Sequence, residues 1–420
     1  MWRFPGLIAF ALIAASCTGA AAEDTVAARI EVTSTSAPAT TSPPTSTSTT
    51  TSTTSTTTTT TIPTPVGAPD PKPSPPAPDA HLLEAFAGSG VVTIAAGGAD
   101  VYEDIDGEPI VTAREGLVFP AQGMEGDWIE IFTTCDAPAW VHSSDVLAQP
   151  PASSAEIGGG FDLADATIVL DPGHGGSWNT GAASPSGFAE KGINVDIAKR
   201  VRDLLSEPRR VDWATGVIYT GDEIPAADWV LVTRVGDGED ADYEAGLLYR
   251  SYLANAANAH AMVAIHNNAG WEIQTETPGS DVYYQSQIPE SRRFAKIMVE
   301  ELLRSFAPFE AEWVGALESG AKSRLSPREG NLQYYGILRR SEMPTVIAEG
   351  AYISNQSEAD LLATPEFRQA YADAVYRSLV RFLTTDDVGG GHDTEPVIWE
   401  GDAGSGDARP TCVIPSQGDG

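Results

Sequence analysis

The chain has 420 residues, of which 42% are hydrophobic and 8% aromatic, a length and composition that suggest two domains with connecting segments. Its 25 basic and 58 acidic residues give a formal net charge of −33, which excludes nucleic acid or an anionic bilayer as the main partner because both are negatively charged. Three cysteines exclude a disulfide-rich scaffold and a four-cysteine metal site.

Residues 1–22 have the pattern of an export signal. Arg3 supplies one positive charge, and the apolar run from Phe4 to Ala15 has the length that a signal peptide needs. The following Ser16-Cys17 completes a sequence that resembles the bacterial lipobox, in which the cysteine is lipidated and becomes the new N-terminus. The alternative is an ordinary signal peptide that is cleaved within residues 20–22. Both predict export to the cell envelope or the medium, with membrane attachment only through a lipid anchor at Cys17.

Residues 23–83 have the composition of a linker. Of the 30 residues from 33 to 62, 24 are Ser or Thr, and eight of the 16 residues from 63 to 78 are Pro. Such a segment has no apolar area to bury, so we predict a disordered tether that is stiffer in its Pro-rich part. It would let an enzyme held at a membrane work inside a wall, although a plain interdomain spacer is the alternative.

Residues 84–150 show short strands between turns. Val91–Ile94 precedes two glycines, and residues 127–131 alternate between polar and apolar side chains, so we predict a small all-β barrel. The run GDWIEIFTTCDAPAWVHSSDV resembles the end of a bacterial SH3-like domain, which implies binding to wall peptides. Trp128 and Trp140 could line a groove, but a small barrel needs aromatic core residues, and we favour that role.

Residues 161–384 alternate strands and helices and precede an acidic, Gly-rich tail, residues 385–420. This alternation predicts an α/β fold with a mostly parallel sheet and helices on both faces. The predicted strands are Thr167–Leu170, Val230–Thr233, Met262–Ile265, Asp281–Tyr284 and Pro344–Ala348, and the predicted helices are Lys191–Leu205, Tyr243–Ala259, one through Phe294 and Phe306, and one through Phe367 and Leu379.

Three polar residues, His174, His266 and Glu349, follow predicted strands, at the edge where open α/β sheets bind ligands. Glu190 lies just before a helix, in the glycine-containing loop that follows His174. Two histidines and one glutamate suit a catalytic zinc ion and leave one coordination position for water. Glu349 is then available to move protons.

The runs IVLDPGHGG, EKGINVDIAKRV, LVTR, LANAANAHAMVAIHNNAG and MPTVIAEGAYISN resemble family 3 of the zinc-dependent N-acetylmuramoyl-L-alanine amidases. The resemblance implies one Zn²⁺ ion bound by His174, Glu190 and His266, with Glu349 as the catalytic residue. It also implies hydrolysis of the amide between N-acetylmuramic acid and L-alanine in peptidoglycan, for wall remodelling or daughter-cell separation. Asn268 either orients substrate or water, or caps the following turn.

Two other functions remain open: a zinc peptidase that cuts stem peptides, and a wall-binding lipoprotein without activity. The four intact site residues argue against the second.

If Cys17 is lipidated, Cys135 and Cys412 remain in an oxidising compartment, and we predict that they form a disulfide. The alternative is that both thiols stay free.

Overall fold

The structure of the protein is a computed structural model. It describes residue 86 and residues 88–176, 179–236, 245–270, 273–315, 319–400 and 412–416, all within the compact unit Pro71–Gly420. The predicted export signal, Cys17 and the predicted tether lie outside the described residues. None of the helices in the described part of the chain combines the length and the apolar content needed to cross a membrane.

The first domain is an antiparallel sheet of seven strands, in the order β3-β2-β6-β5-β4-β1-β7. The strands are β1 (Gly90–Ile94), β2 (Ala99–Tyr102), β3 (Pro109–Ala113), β4 (Val118–Glu125), β5 (Trp128–Phe132), β6 (Pro138–His142) and β7 (Val146–Gln149). Apolar side chains such as Val92, Phe119 and Ile131 are fully buried. A small all-β unit therefore stands where the short alternating segments predicted one, and its assignment to the SH3-like type stays a prediction.

The predicted core role of Trp128 and Trp140 is wrong. Both side chains are only half-buried, because Ile129 on β5 and Val141 on β6 point into the core and successive side chains of a strand point to opposite faces. The ring of Trp128 instead lies edge-on to Tyr102, with 5.0 Å between the ring centres.

The second domain contains the remaining strands and helices. Its strands are β8 (Thr167–Pro172), β9 (Arg209–Asp212), β10 (Val217–Thr220), β11 (Trp229–Val232), β12 (Ala261–Asn268), β13 (Ile273–Thr275), β14 (Asp281–Tyr284), β15 (Trp313–Gly315), β16 (Gly320–Lys322), β17 (Arg324–Ser326), β18 (Leu332–Gln333), β19 (Thr345–Tyr352) and β20 (Val397–Ile398). Its helices are α1 (Glu190–Leu205), α2 (Leu247–Ala256), α3 (Pro289–Phe306), α4 (Gly336–Arg340), α5 (Gln356–Leu362) and α6 (Pro365–Thr384).

The central sheet has six strands in the order β11-β8-β12-β19-β14-β16. The first four are parallel to one another. β14 is antiparallel to β19, and β16 is parallel to β14, so these two strands run in the opposite direction. The predicted α/β fold with a mostly parallel sheet is confirmed. The reversal at β14 makes the sheet mixed.

Both faces of this sheet are covered, as the nearly continuous apolar strands predict. Ile168 and Leu170 on β8 pack with α1, α3 and α6, while Val169 between them belongs to the core on the other face, with α2 and α4. That second core is continuous with the apolar interior of the β1–β7 domain. Helix α2 therefore covers the sheet and contacts the first domain at the same time.

Within the second domain, the chain after α6 packs against α3 and β17. Asp393 and Glu395 form ion pairs with Arg292 at 2.7 and 2.8 Å. β20 then pairs with β17 as an added parallel strand.

Farther on, the predicted disulfide between Cys135 and Cys412 is confirmed. Next to it, the Arg114 amide donates to the Pro415 carbonyl at 3.0 Å, and Ile414 is buried in the core of the first domain. The C-terminal segment thus contacts both domains.

Candidate active site

The loop between β8 and α1 carries His174, and two arginines hold its backbone. Arg250 forms a buried ion pair with Asp171 at 2.5 Å and donates to the His174 carbonyl at 2.6 Å. Arg234 donates to the carbonyls of Gly173 and Lys191 at 3.1 and 3.0 Å. The LVTR run contains Arg234, but no pattern along the chain indicated that the role of the two arginines is to fix this loop.

Glycine is required where this loop passes the other site residues. A Cβ atom on Gly173 would lie 2.1 Å from Cε1 of His266. Gly181 has a φ of +72°, and a Cβ atom there would lie 2.6 Å from both Glu190 Oε2 and His174 Cδ2. His174 itself has a positive φ of 65°, a conformation that costs a non-glycine residue energy.

His174, Glu190 and His266 come together at this loop. His174 Nε2 lies 3.1 Å from Glu190 Oε2, and His266 Nδ1 lies 3.2 Å from Glu190 Oε1. The ligand atoms of the three residues all lie within 4.8 Å of one another. Two imidazole nitrogens and one carboxylate oxygen at this separation can hold a metal ion.

Glu190 begins α1 and is buried. Its carboxylate accepts hydrogen bonds from the backbone amides of Ala182 and Asn267, at 3.0 and 2.9 Å. Burial on its own would raise the pKa of Glu190, but the hydrogen bonds from His174 and His266 outweigh it and hold the pKa well below its usual value. Glu190 is therefore ionised, which is the state that binds a metal.

The two imidazole rings have opposite protonation tendencies in the metal-free site. Burial lowers the pKa of His266, more than its hydrogen bond with Glu190 raises it. For His174, burial also acts to lower the pKa, but the hydrogen bond and charge of Glu190 outweigh it and the pKa is raised. One ring thus favours the neutral, ligating form, and the other must lose a proton when a metal binds.

Asn179 orients the ring of His174. Its Oδ1 lies 2.7 Å from Nδ1 of His174, and because an amide oxygen only accepts, Nδ1 carries the proton. Nε2, which faces Glu190, is then the nitrogen that can bind a metal once its own proton is lost. Such outer partners set the tautomer of a metal-binding histidine. Sequence reasoning missed Asn179, since nothing distinguishes it from the other polar residues of its loop.

Glu349 lies beside this cluster, one strand away. It is directly opposite His266 on β12 and opposite Asp281 on β14. The sequence placed His266 and Glu349 just past the ends of their strands, and this is wrong. β12 and β19 continue pairing through both residues, so the two side chains project from the sheet itself.

The carboxyl group of Glu349 has the features of a proton carrier. Its Oε2 is buried and has no hydrogen-bond partner among the described residues. Burial raises the pKa of Glu349 well above its ordinary value, and the negative charges of Glu190 and Asp281 raise it further, while Arg324 lowers it. A buried acceptor without a partner, next to a group of metal ligands, is suited to bind a water molecule there.

Asn268 lies two residues after His266, at the end of β12. Its side-chain amide donates to Asp281 Oδ2 at 3.2 Å, and its Oδ1 accepts from the Ala269 amide at 2.9 Å. These contacts agree with the turn-capping alternative, and a role in substrate binding stays a prediction.

The model of the N-acetylmuramoyl-L-alanine amidase family matches residues 168–381, which is just over half of the chain. The chain belongs to this amidase family. The match begins in β8 and ends in α6, so it contains all four predicted site residues.

Among relatives of this amidase domain, the germination-specific N-acetylmuramoyl-L-alanine amidase of Bacillus subtilis is 27% identical over 223 residues, which cover 53% of this chain and 81% of that protein. The amidase AmiC of Neisseria meningitidis is 27% identical over 240 residues, covering 52% and 53% of the two chains. Among solved structures, the amidase Ami1 of Mycobacterium smegmatis is 26% identical with a TM-score of 0.39, covering 53% of this chain and 98% of that one.

Proposed function

We propose that this protein is a zinc-dependent amidase that hydrolyses the bond between N-acetylmuramic acid and L-alanine in peptidoglycan. One Zn²⁺ ion would be held by His174, Glu190 and His266, and Glu349 would move the protons. The observation that carries the proposal is that the ligand atoms of these three residues lie within 4.8 Å of one another, beside a carboxyl oxygen of Glu349 that has no hydrogen-bond partner in the described part of the chain.

The donor set fits zinc better than the common hard cations. Magnesium and calcium prefer shells of oxygen ligands, whereas two imidazoles with one carboxylate are typical of catalytic zinc. Three protein ligands leave a position for water or substrate. Membership of the amidase family supports the reaction, which amidases of this family share by name.

In the proposed reaction, Glu349 carries out the proton transfers. When bound, zinc polarises the scissile carbonyl and makes water more acidic. Glu349 takes the proton that the attacking water loses and delivers it to the leaving amine of L-alanine. Its raised pKa suits a group that must both accept and return a proton. Arg250 and Asn179 keep His174 in place during the reaction.

The test is to measure metal content and products together. We expect about one zinc ion per folded chain and, from purified peptidoglycan, stem peptides with a free L-alanine amino terminus beside intact glycan, identified by mass spectrometry. Cleavage within the stem peptide would instead support the zinc peptidase, and no cleavage by the zinc-loaded enzyme would overturn the proposal.

The site of action is the cell wall, where the substrate is located. We propose that export depends on residues 1–22 and that Cys17 carries a lipid anchor. Cys17→Ser should then move the protein from the membrane fraction to the medium, with unchanged activity on soluble substrate. A variant that stays in the membrane fraction would overturn the lipid anchor.

A further inference from the structure

Arg324 lies over the same face of the sheet as Glu349. Tyr283 is two residues after Asp281 on β14, and Asp281 is directly opposite Glu349. The guanidinium carbon of Arg324 lies 4.7 Å from the ring centre of Tyr283. Its positive charge acts on both Glu349 and Asp281. Arg324 is thus a cation on the β14 side of Glu349, whereas the predicted metal ligands lie on the opposite, β8 and β12, side.

Arg324 is held by aromatic rings and has no acidic partner within ion-pair distance among the described residues. Its guanidinium carbon lies 4.1 Å from the ring centre of Trp399. It donates a hydrogen bond to the Tyr335 hydroxyl at 2.8 Å. In contrast, the neighbouring Lys322 is paired with Asp281 at 2.9 Å, and Arg250 is paired with Asp171. Aromatic rings attract a guanidinium through cation–π contacts, and a planar guanidinium can donate two parallel hydrogen bonds to one carboxylate.

The proposed function fixes which part of the substrate lies on this side. The scissile carbonyl belongs to the muramyl lactyl group and must face the ligand cluster. Glu349 protonates the amine that leaves, so the peptide departs on the side of Glu349. Arg324 lies on that side. The stem peptide carries its first free carboxylate on its second residue, so this carboxylate is the first anion of the leaving peptide that would meet a cation on the β14 side of Glu349.

From this geometry we infer that Arg324 is a specificity-determining residue that binds the free carboxylate of the second stem-peptide residue, an inference that rests on the proposed function. The chain has a net charge of −33, so an anionic peptide needs a local cation at the place where it binds. Trp399, on the segment that pairs with β17, holds the guanidinium against Tyr283.

The experiment compares two N-acetylmuramoyl peptides that differ only at the second residue, which carries either a free carboxylate or the carboxamide. With the zinc-loaded, full-length protein, we expect kcat/KM to be about 10- to 100-fold higher for the carboxylate. Arg324→Gln should bring this ratio close to one, mainly by lowering kcat/KM for the carboxylate substrate. Arg324→Lys should keep part of the ratio, since the charge remains without the planar fork.

Arg304→Gln is the matched control. It removes one guanidinium from α3, on the opposite face of the sheet, where Arg304 donates to the Trp213 carbonyl, and it should keep the wild-type ratio. Because the ratio is taken within each preparation, a lower folded fraction cancels. Equal cleavage of both peptides by the wild type, or an unchanged ratio in Arg324→Gln, would overturn the assignment of Arg324. Cleavage of neither peptide would show that the proposed function itself fails.

Discussion

Two glutamates lie within the site, and their surroundings give them different tasks. Glu190 is saturated with hydrogen bonds from two histidines and from backbone amides, and its pKa is held low. Glu349 has a buried oxygen without a partner among the described residues, and its pKa is raised. A permanently ionised carboxylate suits a metal, while a carboxyl group with a raised pKa suits proton transfer.

The first prediction separates the metal ligands from the proton carrier. His174→Ala should lose both zinc and activity, because two protein ligands hold the ion poorly. Glu349→Gln should keep zinc, while kcat falls by about 10²- to 10⁴-fold. Glu190→Gln should weaken zinc binding, since a neutral amide is a poorer ligand. Metal content and kcat are measured on the same preparations. If Glu349→Gln emptied the site and Glu190→Gln stayed fully loaded, the two roles would be reversed.

The second prediction concerns Asn179. Asn179→Ala removes the acceptor 2.7 Å from His174 Nδ1, so the ring loses its fixed tautomer and orientation. Zinc affinity should fall by about 10- to 100-fold, the range found for outer partners of metal ligands. Competition with a chelator measures it. Asn179→Asp keeps an acceptor and should retain most of the affinity, and a full loss in Asn179→Asp would contradict the orienting role.

At the scale of the element, α5 is joined to the sheet through Glu358. Its carboxylate is fully buried and accepts from the amides of Val314, at 2.5 Å, and Tyr352, at 2.7 Å. Burial raises the pKa of Glu358 to about 7, although both hydrogen bonds oppose the shift. The helix and the end of β19 are therefore connected by a group that titrates near neutrality.

The third prediction follows from that pKa. Because the pKa is higher in the folded state than in the unfolded state, the folded protein binds more protons between about pH 4.5 and 7. Its free energy of unfolding should therefore fall as the pH rises through this window, by about 3 kcal/mol from this group. Denaturant unfolding at several pH values measures it.

Glu358→Gln is the matched variant. It should be less stable than the wild type at pH 5, because one backbone amide loses its acceptor, at a cost of about 1–3 kcal/mol. Its stability should lack the contribution of Glu358 to the pH slope, so the difference between the two proteins should shrink toward pH 8. A constant difference across the range would show that Glu358 does not titrate there.

At the scale of the whole molecule, the C-terminal segment connects the two domains. It pairs with β17 through β20, and after an interval outside the described residues its disulfide reaches Cys135 in the first domain. Ile414 is buried in a core that includes residues of both domains. The first domain is thus attached to the C-terminal segment of the second domain by a covalent bond as well as by apolar contacts.

The fourth prediction is that Cys412→Ser destabilises the protein without changing its chemistry. Loss of the disulfide should cost about 2–4 kcal/mol and lower the Tm. Activity at 25 °C should be retained, because neither cysteine contacts the site. Thermal unfolding with and without reductant provides the control, since reductant should lower the Tm of the wild type and leave that of Cys412→Ser unchanged. Two free thiols in the unreduced mature protein would contradict the disulfide.

Much of the fold and most of the site could be predicted from the sequence. Local periodicity indicated β8, β12, β14 and the long helices, because the side chains that must be buried recur along the chain itself. The four predicted site residues could also be identified from the sequence, because each stands in a short motif. The burial of Trp128 depended on whether it or Ile129 faced the core, and the expectation that a small barrel needs aromatic core residues gave the wrong answer.

By itself, the sequence determined the alternation of strands and helices, the all-β segment before it, and the identity of His174, Glu190, His266 and Glu349. Only the tertiary structure decided how these residues are oriented and what surrounds them. Asn179 contacts His174 within one loop, but Arg250 and Arg324 contact residues of other elements, and these partners become neighbours only when the sheet has assembled. Arg324, on β17, reaches the β14 side of Glu349 through its contact with Tyr283, and such a contact between distant segments is a property of the folded chain that no local pattern of side chains records.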